Sequence, residues 1–381
     1  MTLVLAAADS KDALRRELTQ TYGKPAREVR AGVFDCGFEL SAIAPAPYLV
    51  FARQILPEPH DVSASSIRAW AGVLVEAIAG VLPDSEPWSL HVYPVKEVLE
   101  QTRVGARAWH SQTRGGRHGD ASREALDARP GARAESAVGS HRCRLIQEAV
   151  LELLQKRRRH LLRSLRRDSG LFLENEALVQ LALTAPDAGF LSIAAAPLPH
   201  TQRRVLSNFA GGELPLAVDK QAPSRAFAKL VEAELRMGRR IAAHDSCVDL
   251  GAAPGSWTYV ALKRGARVTS VDRAELRADL MAHRNVEFQQ GDAFKFEPAA
   301  PADWLLCDVI ASAERSAELL VKWLRERWCL HFVVTLKVDD AGSSPVLARL
   351  KQELPALTSE LWLQRLCANK KEVCAFGTIA D

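Results

Sequence analysis

The sequence predicts an α/β protein with a doubly wound parallel sheet in its C-terminal part and an α+β region before it. Strand-like and helix-like segments alternate from residue 247 to residue 354, which is the pattern of parallel strands joined by crossover helices. Residues 1–100 instead mix short strands and helices that prolines interrupt. A chain of 381 residues is long enough for two or three domains, which agrees with this division.

The elements of the C-terminal part follow from hydrophobic periodicity. The expected strands are 247–250, 267–272, 286–292, 303–310 and 331–338. The expected helices are 223–234, 255–265, 275–284, 314–328 and 344–354. Two more strand-like runs, 359–368 and 371–379, are separated only by Asn369-Lys370 and predict an antiparallel hairpin at the edge of the sheet.

The N-terminal part is expected to hold an α/β subdomain over 1–60 and a second region over 61–205, followed by the doubly wound domain over 206–381. The opening MTLVLAAADSKDALRRE predicts a strand and then a helix, since its charges come too soon for a signal peptide. Residues 101–142 are rich in Gly, Ala, Arg and Ser and predict a flexible insertion. Residues 143–167 carry leucines at helical spacing and predict one or two helices.

Composition excludes several classes of protein. The seven cysteines form no C-x-x-C pair, so neither a disulfide framework nor a zinc site is expected, and a reducing cytoplasm fits. No apolar run is long enough to span a membrane. Residues 101–170 hold sixteen Lys or Arg against seven Asp or Glu, which fits either a solvated charged face or a phosphate-binding surface.

A Gly-rich turn, DLGAAPGSW (249–257), follows the first strand of the sheet. It lacks the spacing of dinucleotide-binding and phosphate-binding loops, although Gly251 can let the backbone approach a ligand closely. The next strands end near Asp272 and Asp292, where carboxylates accept hydrogen bonds from ribose hydroxyls and an adenine amino group. Sites for a ribose and an adenine without a phosphate-binding loop predict S-adenosylmethionine as the cofactor. The alternative is an ordinary strand–turn–helix with acids at the strand ends by chance.

Four charged residues are expected at this edge of the sheet: Lys229, Asp308, Lys337 and Glu372. S-adenosylmethionine donates a methyl group, so the residues beyond the cofactor indicate which atom accepts it. The fourth strand ends in CDVIASA. It lacks the proline-rich turn expected when an exocyclic nitrogen is the methyl acceptor and the Pro-Cys expected when cytosine C5 is the acceptor. Two lysines flanked by two carboxylates suit deprotonation of a ribose hydroxyl, since a second cation and partial burial lower the pKa of a lysine. Singly, Lys229 also fits a solvated helix, Asp308 a helix cap and Glu372 an edge-strand charge.

With these residues the chain resembles the RNA ribose 2'-O-methyltransferases related to FtsJ, and most closely their RlmM-type branch, over roughly 222–376. The matching stretches are LVFARQ (49–54), APSRAFAKLVEAE (222–234), VDLGAAPGSWTY (248–259), SVD (270–272), GDAFKF (291–296), CD (307–308), LKV (336–338) and KEV (371–373). Relatives can have a cofactor-contacting serine where Ala226 stands, so that contact is not carried over.

The resemblance implies a Rossmann-like catalytic domain and an N-terminal region containing a THUMP domain that binds RNA. It implies that Lys229, Asp308, Lys337 and Glu372 form a K-D-K-E tetrad in which Lys337 accepts the proton. It implies S-adenosylmethionine contacts at Ala253, Pro254, Gly255, Ser256, Asp272, Asp292 and Asp308. Gly251 is a further cofactor candidate from the turn itself.

With this resemblance, the sequence predicts a cytoplasmic enzyme that methylates a ribose 2'-hydroxyl. The resemblance implies that the target is 23S ribosomal RNA, at a cytidine. Its partner would be that RNA or a ribosomal precursor, and neither a metal nor a membrane is expected. Two alternatives stay open. One is 2'-O-methylation of transfer RNA or another ribosomal site, and the other is an inactive RNA-binding assembly factor.

Overall fold

The computed structural model describes residues 1–7, 9–37, 48–83, 86–95, 141–167, 171–173, 175–196, 205–214, 216–338 and 345–380. The described residues fall into two compact units, one within 1–37 and 52–214 and the other of 48–51 and 216–380. The predicted insertion 101–142 lies outside the described residues except for its last two positions, which begin a helix. The predicted boundaries near residues 60 and 205 stay a prediction.

The first unit begins with a four-stranded antiparallel sheet in the order β2-β3-β1-β4. Its elements are β1 (Thr2–Ala6), α1 (Lys11–Tyr22), β2 (Arg27–Arg30), β3 (Val33–Asp35) and β4 (Ala52–Pro57). The predicted opening strand and helix are therefore confirmed. Helix α1 ends at Gly23, whose φ of 67° places it in the left-handed conformation common after a helix.

A second four-stranded sheet in this unit has the order β5-β8-β7-β6, with β6 and β7 parallel. Its elements are β5 (His60–Ser63), α2 (Ile67–Val81), β6 (Trp88–Pro94), α3 (His141–Arg157), α4 (Arg159–Ser164), β7 (Ala177–Ala185) and β8 (Ala188–Ala194). The prediction of one or two helices over 143–167 is confirmed, and the structure has two. Helices α2 and α3 bury their apolar faces in a core that contains Trp70 and Trp88.

The second unit holds a seven-stranded sheet in the order β11-β10-β9-β12-β13-β15-β14. Its elements are α5 (Phe227–Met237), β9 (Ser246–Leu250), α6 (Ser256–Arg264), β10 (Arg267–Asp272), α7 (Ala278–Met281), β11 (Val286–Gln290), β12 (Ala302–Cys307), α8 (Ala313–Arg325), β13 (Cys329–Lys337), α9 (Pro345–Glu353), β14 (Thr358–Gln364) and β15 (Glu372–Ile379). The first five strands of this order are parallel, and β15 and β14 are antiparallel, as predicted. Within the described ranges, no helix has the length and apolar character needed to cross a membrane.

Three predicted elements differ from the structure. Helix α5 begins at residue 227 rather than 223, because residues 222–226 form turns. The helix expected over 275–284 is a single turn, α7, because the backbone N–H of Arg277 donates instead to the carbonyl of Pro254. Residues 365–371, rather than a two-residue turn, join β14 to β15, because Cys367 and Ala368 donate their backbone N–H groups to the carboxylate of Glu232.

The strand order reverses at β9, which pairs with β10 on one side and β12 on the other. Leu250 at the end of β9 lies opposite Val271 of β10 and Cys307 of β12. The next residues of these strands, Asp272 and Asp308, therefore reach the same edge of the sheet as the turn after β9. Open α/β sheets bind ligands in the crevice at such a reversal.

Candidate functional site

A cavity of about 600 Å³ lies at the carboxyl ends of the parallel strands. Its volume is typical of pockets that bind small-molecule ligands. The predicted residues in its wall are Lys229, Gly251, Ala253, Pro254, Asp272, Asp292, Asp308, Lys337 and Glu372. The structure thus brings the four predicted tetrad residues and six of the eight predicted cofactor residues to one cavity.

The remaining two cofactor candidates, Gly255 and Ser256, lie outside the cavity wall. Gly255 has a φ of 103°, and a Cβ there would meet Leu280 Cδ1 at 2.3 Å. Ser256 is buried, and its hydroxyl lies 2.7 Å from that of Ser224, which is in the wall. These two residues therefore shape the turn and the start of α6, and the nearby wall residue that sequence reasoning missed is Ser224.

Gly251 also has a packing role that was not expected from the sequence. Its φ is 74°, and a Cβ at this position would lie 2.8 Å from the Cα of Val309. The missing side chain therefore lets the turn after β9 pack against the chain that leaves β12, rather than only against a ligand. This packing closes one side of the cavity.

The carboxylate of Asp272 is held by the backbone on both sides. One oxygen accepts a hydrogen bond from the N–H of Ala253 at 3.0 Å, and the other from the N–H of Ala274 at 2.9 Å. A carboxylate offers about four acceptor positions, so two are left for a ligand. The two backbone bonds orient Asp272 at the end of β10 before any ligand binds.

Asp292 lies two residues after the end of β11, and its carboxylate is held in a similar way. It accepts from the backbone N–H of Phe294 at 3.0 Å and from a guanidinium nitrogen of Arg273 at 2.9 Å. The Phe294 hydrogen bond is the main reason that the pKa of Asp292 is lowered, with Arg273 adding to it. The carboxylate is therefore ionised near neutral pH and is an acceptor for ligand donors.

Lys229 bridges two carboxylates at the centre of the site. Its Nζ donates to both oxygens of Asp308, at 2.9 and 3.1 Å, and lies 2.9 Å from an oxygen of Glu372. Burial disfavours the charged ammonium, but the two carboxylates outweigh it, so the pKa of Lys229 is raised. The expectation that these lysines have lowered pKa values is therefore wrong for Lys229, which stays cationic.

Thr335 is a member of this cluster that sequence reasoning missed. Its hydroxyl donates to Oδ1 of Asp308 at 2.7 Å, and its side chain is buried. Cys307 pairs with Val334, so Asp308 and Thr335 are each one residue further along adjacent strands. The sequence pattern that marks it is a polar residue two positions before Lys337 in the apolar strand FVVTLK, hence on the same face.

Lys337 lies opposite Glu372 at the last pair of β13 and β15. The sequence suggested a buried lysine, but the side chain of Lys337 is exposed. Lys337 is the last residue of β13 and lines the cavity. In the described part of the chain, Lys337 forms no ion pair. It is therefore the amine of the cluster that no carboxylate holds.

Glu232 connects the cluster to the loop that precedes Glu372. It lies one helical turn after Lys229 on α5 and is fully buried. Its carboxylate accepts from the backbone N–H groups of Cys367 and Ala368, at 2.9 and 3.1 Å, and from Arg236. The same helix thus carries Lys229 and fixes the loop that brings Glu372 to it.

Asp249 is a buried carboxylate beneath the turn. It accepts from both the backbone N–H and the hydroxyl of Thr258, at 2.9 and 2.7 Å, which ties the end of β9 to helix α6. Burial raises its pKa to about 7, against the opposing effect of the Thr258 hydrogen bonds.

No group of three potential metal ligands is found among the residues that the structure describes.

Comparison with known proteins agrees with this architecture. Residues 222–333 match the FtsJ-like methyltransferase family. The chain is 41% identical over 130 residues to the ribosomal RNA large subunit methyltransferase M of Xylella fastidiosa (strain 9a5c), covering 31% of this chain and 35% of that protein. The protein of the same name from Halorhodospira halophila is 40% identical over 126 residues, covering 32% and 37%. The match therefore spans about a third of the length of these curated relatives.

Similarity to solved structures is lower. The 1,6-didemethyltoxoflavin-N1-methyltransferase of Burkholderia thailandensis, solved with S-adenosylhomocysteine, has a TM-score of 0.32 and 21% identity, covering 43% of this chain and 80% of that chain. The predicted resemblance to FtsJ-related methyltransferases is confirmed by the sequence matches.

Proposed function

We propose that this chain, whose residues 222–333 match the FtsJ-like methyltransferase family, methylates a ribose 2'-hydroxyl of 23S ribosomal RNA, at a cytidine. The observation that carries the proposal is the cluster of Lys229, Asp308 and Glu372, with Lys337 at the same cavity. The similarity to proteins named large-subunit ribosomal RNA methyltransferases supports the RNA class. The choice of cytidine rests on the sequence resemblance alone.

The residues at the cavity fit S-adenosylmethionine. Asp272, oriented by two backbone N–H groups, has acceptor positions left for ribose hydroxyls, and Asp292 has an ionised carboxylate for an adenine amino group. The turn after β9 adds backbone close to the ligand at Gly251 and Ala253. When bound, this cofactor supplies a sulfonium methyl group that is already activated for displacement.

The chain itself must orient the acceptor hydroxyl and remove its proton. Lys229 is unsuited to accept a proton because two carboxylates hold it as an ammonium. Its charge instead holds Asp308 and Glu372 in place. Lys337 in its neutral form would accept the hydroxyl proton, since no carboxylate among the described residues holds its amine.

The base assignment is tested by methyl transfer to 23S ribosomal RNA transcribed in vitro, which lacks the modification. We expect Lys337→Ala to lower the rate by at least about 100-fold, the usual size of a general-base contribution. Binding of S-adenosylmethionine, measured by calorimetry, should be unchanged. Lys322→Ala, which removes an exposed lysine of α8, is the matched control and should keep full activity. Full activity of Lys337→Ala with intact cofactor binding would contradict the assignment.

The substrate is tested by mapping ribose methylation in total RNA with and without the gene. Loss of one 2'-O-methyl group on a cytidine of 23S RNA is the expected result. Loss at another ribosomal site or in transfer RNA would replace the proposed target but leave the chemistry. Failure of the purified protein to bind S-adenosylmethionine would instead favour an inactive RNA-binding factor.

A further inference from the structure

The loop between β12 and α8 carries an isoleucine at the rim of the cavity. Ile310 is two residues after Asp308 and is 85% exposed, more than any other large apolar side chain among the described residues. Single exposed apolar residues are common on protein surfaces and need no explanation. The position of Ile310 is what matters, because it lines the same cavity as Lys229, Asp308 and Lys337.

Arg315, in the first turn of α8, lines the cavity as well. Its guanidinium carbon lies 3.9 Å from the centre of the Phe294 ring, a cation–π contact that holds the group beside the cavity. Within the described residues, Arg315 forms no ion pair, whereas Arg273, the other arginine of the wall, is paired with Asp292 at 2.9 Å.

Charges in the wall therefore divide into two groups. The carboxylates of Asp272, Asp292, Asp308 and Glu372 all have donors from the chain itself. Two of the wall cations, Arg315 and Lys337, form no ion pair among the described residues, although Arg315 adds to the Phe294 hydrogen bond and Arg273 in lowering the pKa of Asp292. A guanidinium group is suited to a phosphate group, because its N–H groups match two phosphate oxygens.

We propose that Ile310 and Arg315 bind the nucleotide that carries the acceptor hydroxyl, with Ile310 against the face of its base and Arg315 on a neighbouring phosphate. This inference rests on the proposed function, in which Lys337 accepts the proton of the acceptor hydroxyl. RNA bases that are splayed out of a helix expose apolar faces, and their backbone supplies the anion. A contact with the face of a base reads no base edge, so this pair grips the nucleotide without selecting cytidine.

The test measures kcat and the KM for in vitro transcribed 23S RNA with the full chain, together with the Kd for S-adenosylmethionine. We expect Ile310→Ser and Arg315→Ala each to raise the KM about tenfold, from lost base packing and a lost phosphate contact. The Kd for the cofactor should stay within about twofold of wild type. Ile310→Phe should keep the KM, because an aromatic ring also packs on a base face. Arg315→Lys should recover only part of it, because lysine lacks the planar fork.

Matched controls are Val218→Ser, which removes another exposed apolar side chain of the same unit, and Arg325→Ala, at the other end of α8. Neither should change the KM. Unchanged KM values for both Ile310→Ser and Arg315→Ala would overturn the inference while leaving the proposed function in place. An increase in the cofactor Kd for Arg315→Ala would also overturn it, because Arg315 would then belong to the cofactor site.

Failure of the proposed function has a different outcome, namely no methyl transfer to this RNA by the wild-type protein. Filter-binding affinity for the same RNA then tests the inference separately. Equal affinities of the wild-type protein and the Ile310→Ser and Arg315→Ala variants would overturn it, and weaker binding by both variants would support it.

Discussion

Replacing Lys229 by methionine tests whether the lysine holds the two carboxylates of the site together. Methionine keeps most of the length and apolar volume of the side chain but removes its charge. Asp308 and Glu372 would then share one region without a cation between them. Two like charges held close together repel each other, so the two carboxylates would be pushed apart.

The size of the effect follows from the exposure of the three side chains, which is 11% for Lys229, 18% for Asp308 and 19% for Glu372. Removing one partner of a fully buried ion pair costs roughly 3–5 kcal/mol. Because these side chains keep some contact with solvent, we expect Lys229→Met to lower the free energy of unfolding by about 2–3 kcal/mol. Activity should be lost as well, since Asp308 and Glu372 would move apart.

The assay is urea unfolding followed by tryptophan fluorescence, with a double-mutant cycle. Adding Glu372→Gln to Lys229→Met removes the surplus charge and should restore at least about 1 kcal/mol. Lys322→Met, which breaks the exposed pair with Glu297 at 2.7 Å, is the control and should cost under about 1 kcal/mol. Equal costs for Lys229→Met and Lys322→Met would refute the bridging role, as would strict additivity in the cycle.

The remaining predictions concern the support of the site. Thr335→Val should lower kcat with little change in cofactor Kd, because Asp308 loses a buried hydroxyl donor, and Thr335→Ser should restore it; steady-state kinetics would detect an unaffected kcat as the contrary result. Burial raises the pKa of Asp249 from 3.8 to about 7, so the stability that its bound proton provides is full below about pH 4 and is lost as pH rises to about 7. In that window the free energy of unfolding of the wild-type protein should therefore decline by up to about 1.4 kcal/mol per pH unit, and Asp249→Asn should remove this decline. Urea unfolding at several pH values measures it, and parallel pH profiles of the variant and the wild-type protein would contradict it. Gly251→Ala should lower the free energy of unfolding by roughly 1–2 kcal/mol because its backbone is left-handed, and by more because the new Cβ would clash with Val309. An unchanged midpoint of thermal unfolding would disprove this.

Sequence periodicity predicted much of the second unit, because regular alternation of apolar runs is a local property. The strand 267–272 has the same bounds in the structure, and the antiparallel pair at the end of the chain is present. The predicted helix 275–284 failed because Arg277 is tied to Pro254, a contact that no local pattern encodes. Similarly, the loop before Glu372 depends on the carboxylate of Glu232, which is 135 residues away from Cys367 in the chain.

The sequence by itself determined the doubly wound sheet, the turn after β9 and the identity of the charged residues at the strand ends, since strand ends and residue types can be read locally. Only the tertiary structure decided what those charges do. Lys229 is cationic because two strands bring Asp308 and Glu372 to it, and Lys337 is exposed because β13 ends beside the cavity. Charge state and exposure depend on neighbours that are distant in the chain, so they become defined only when the sheet is assembled.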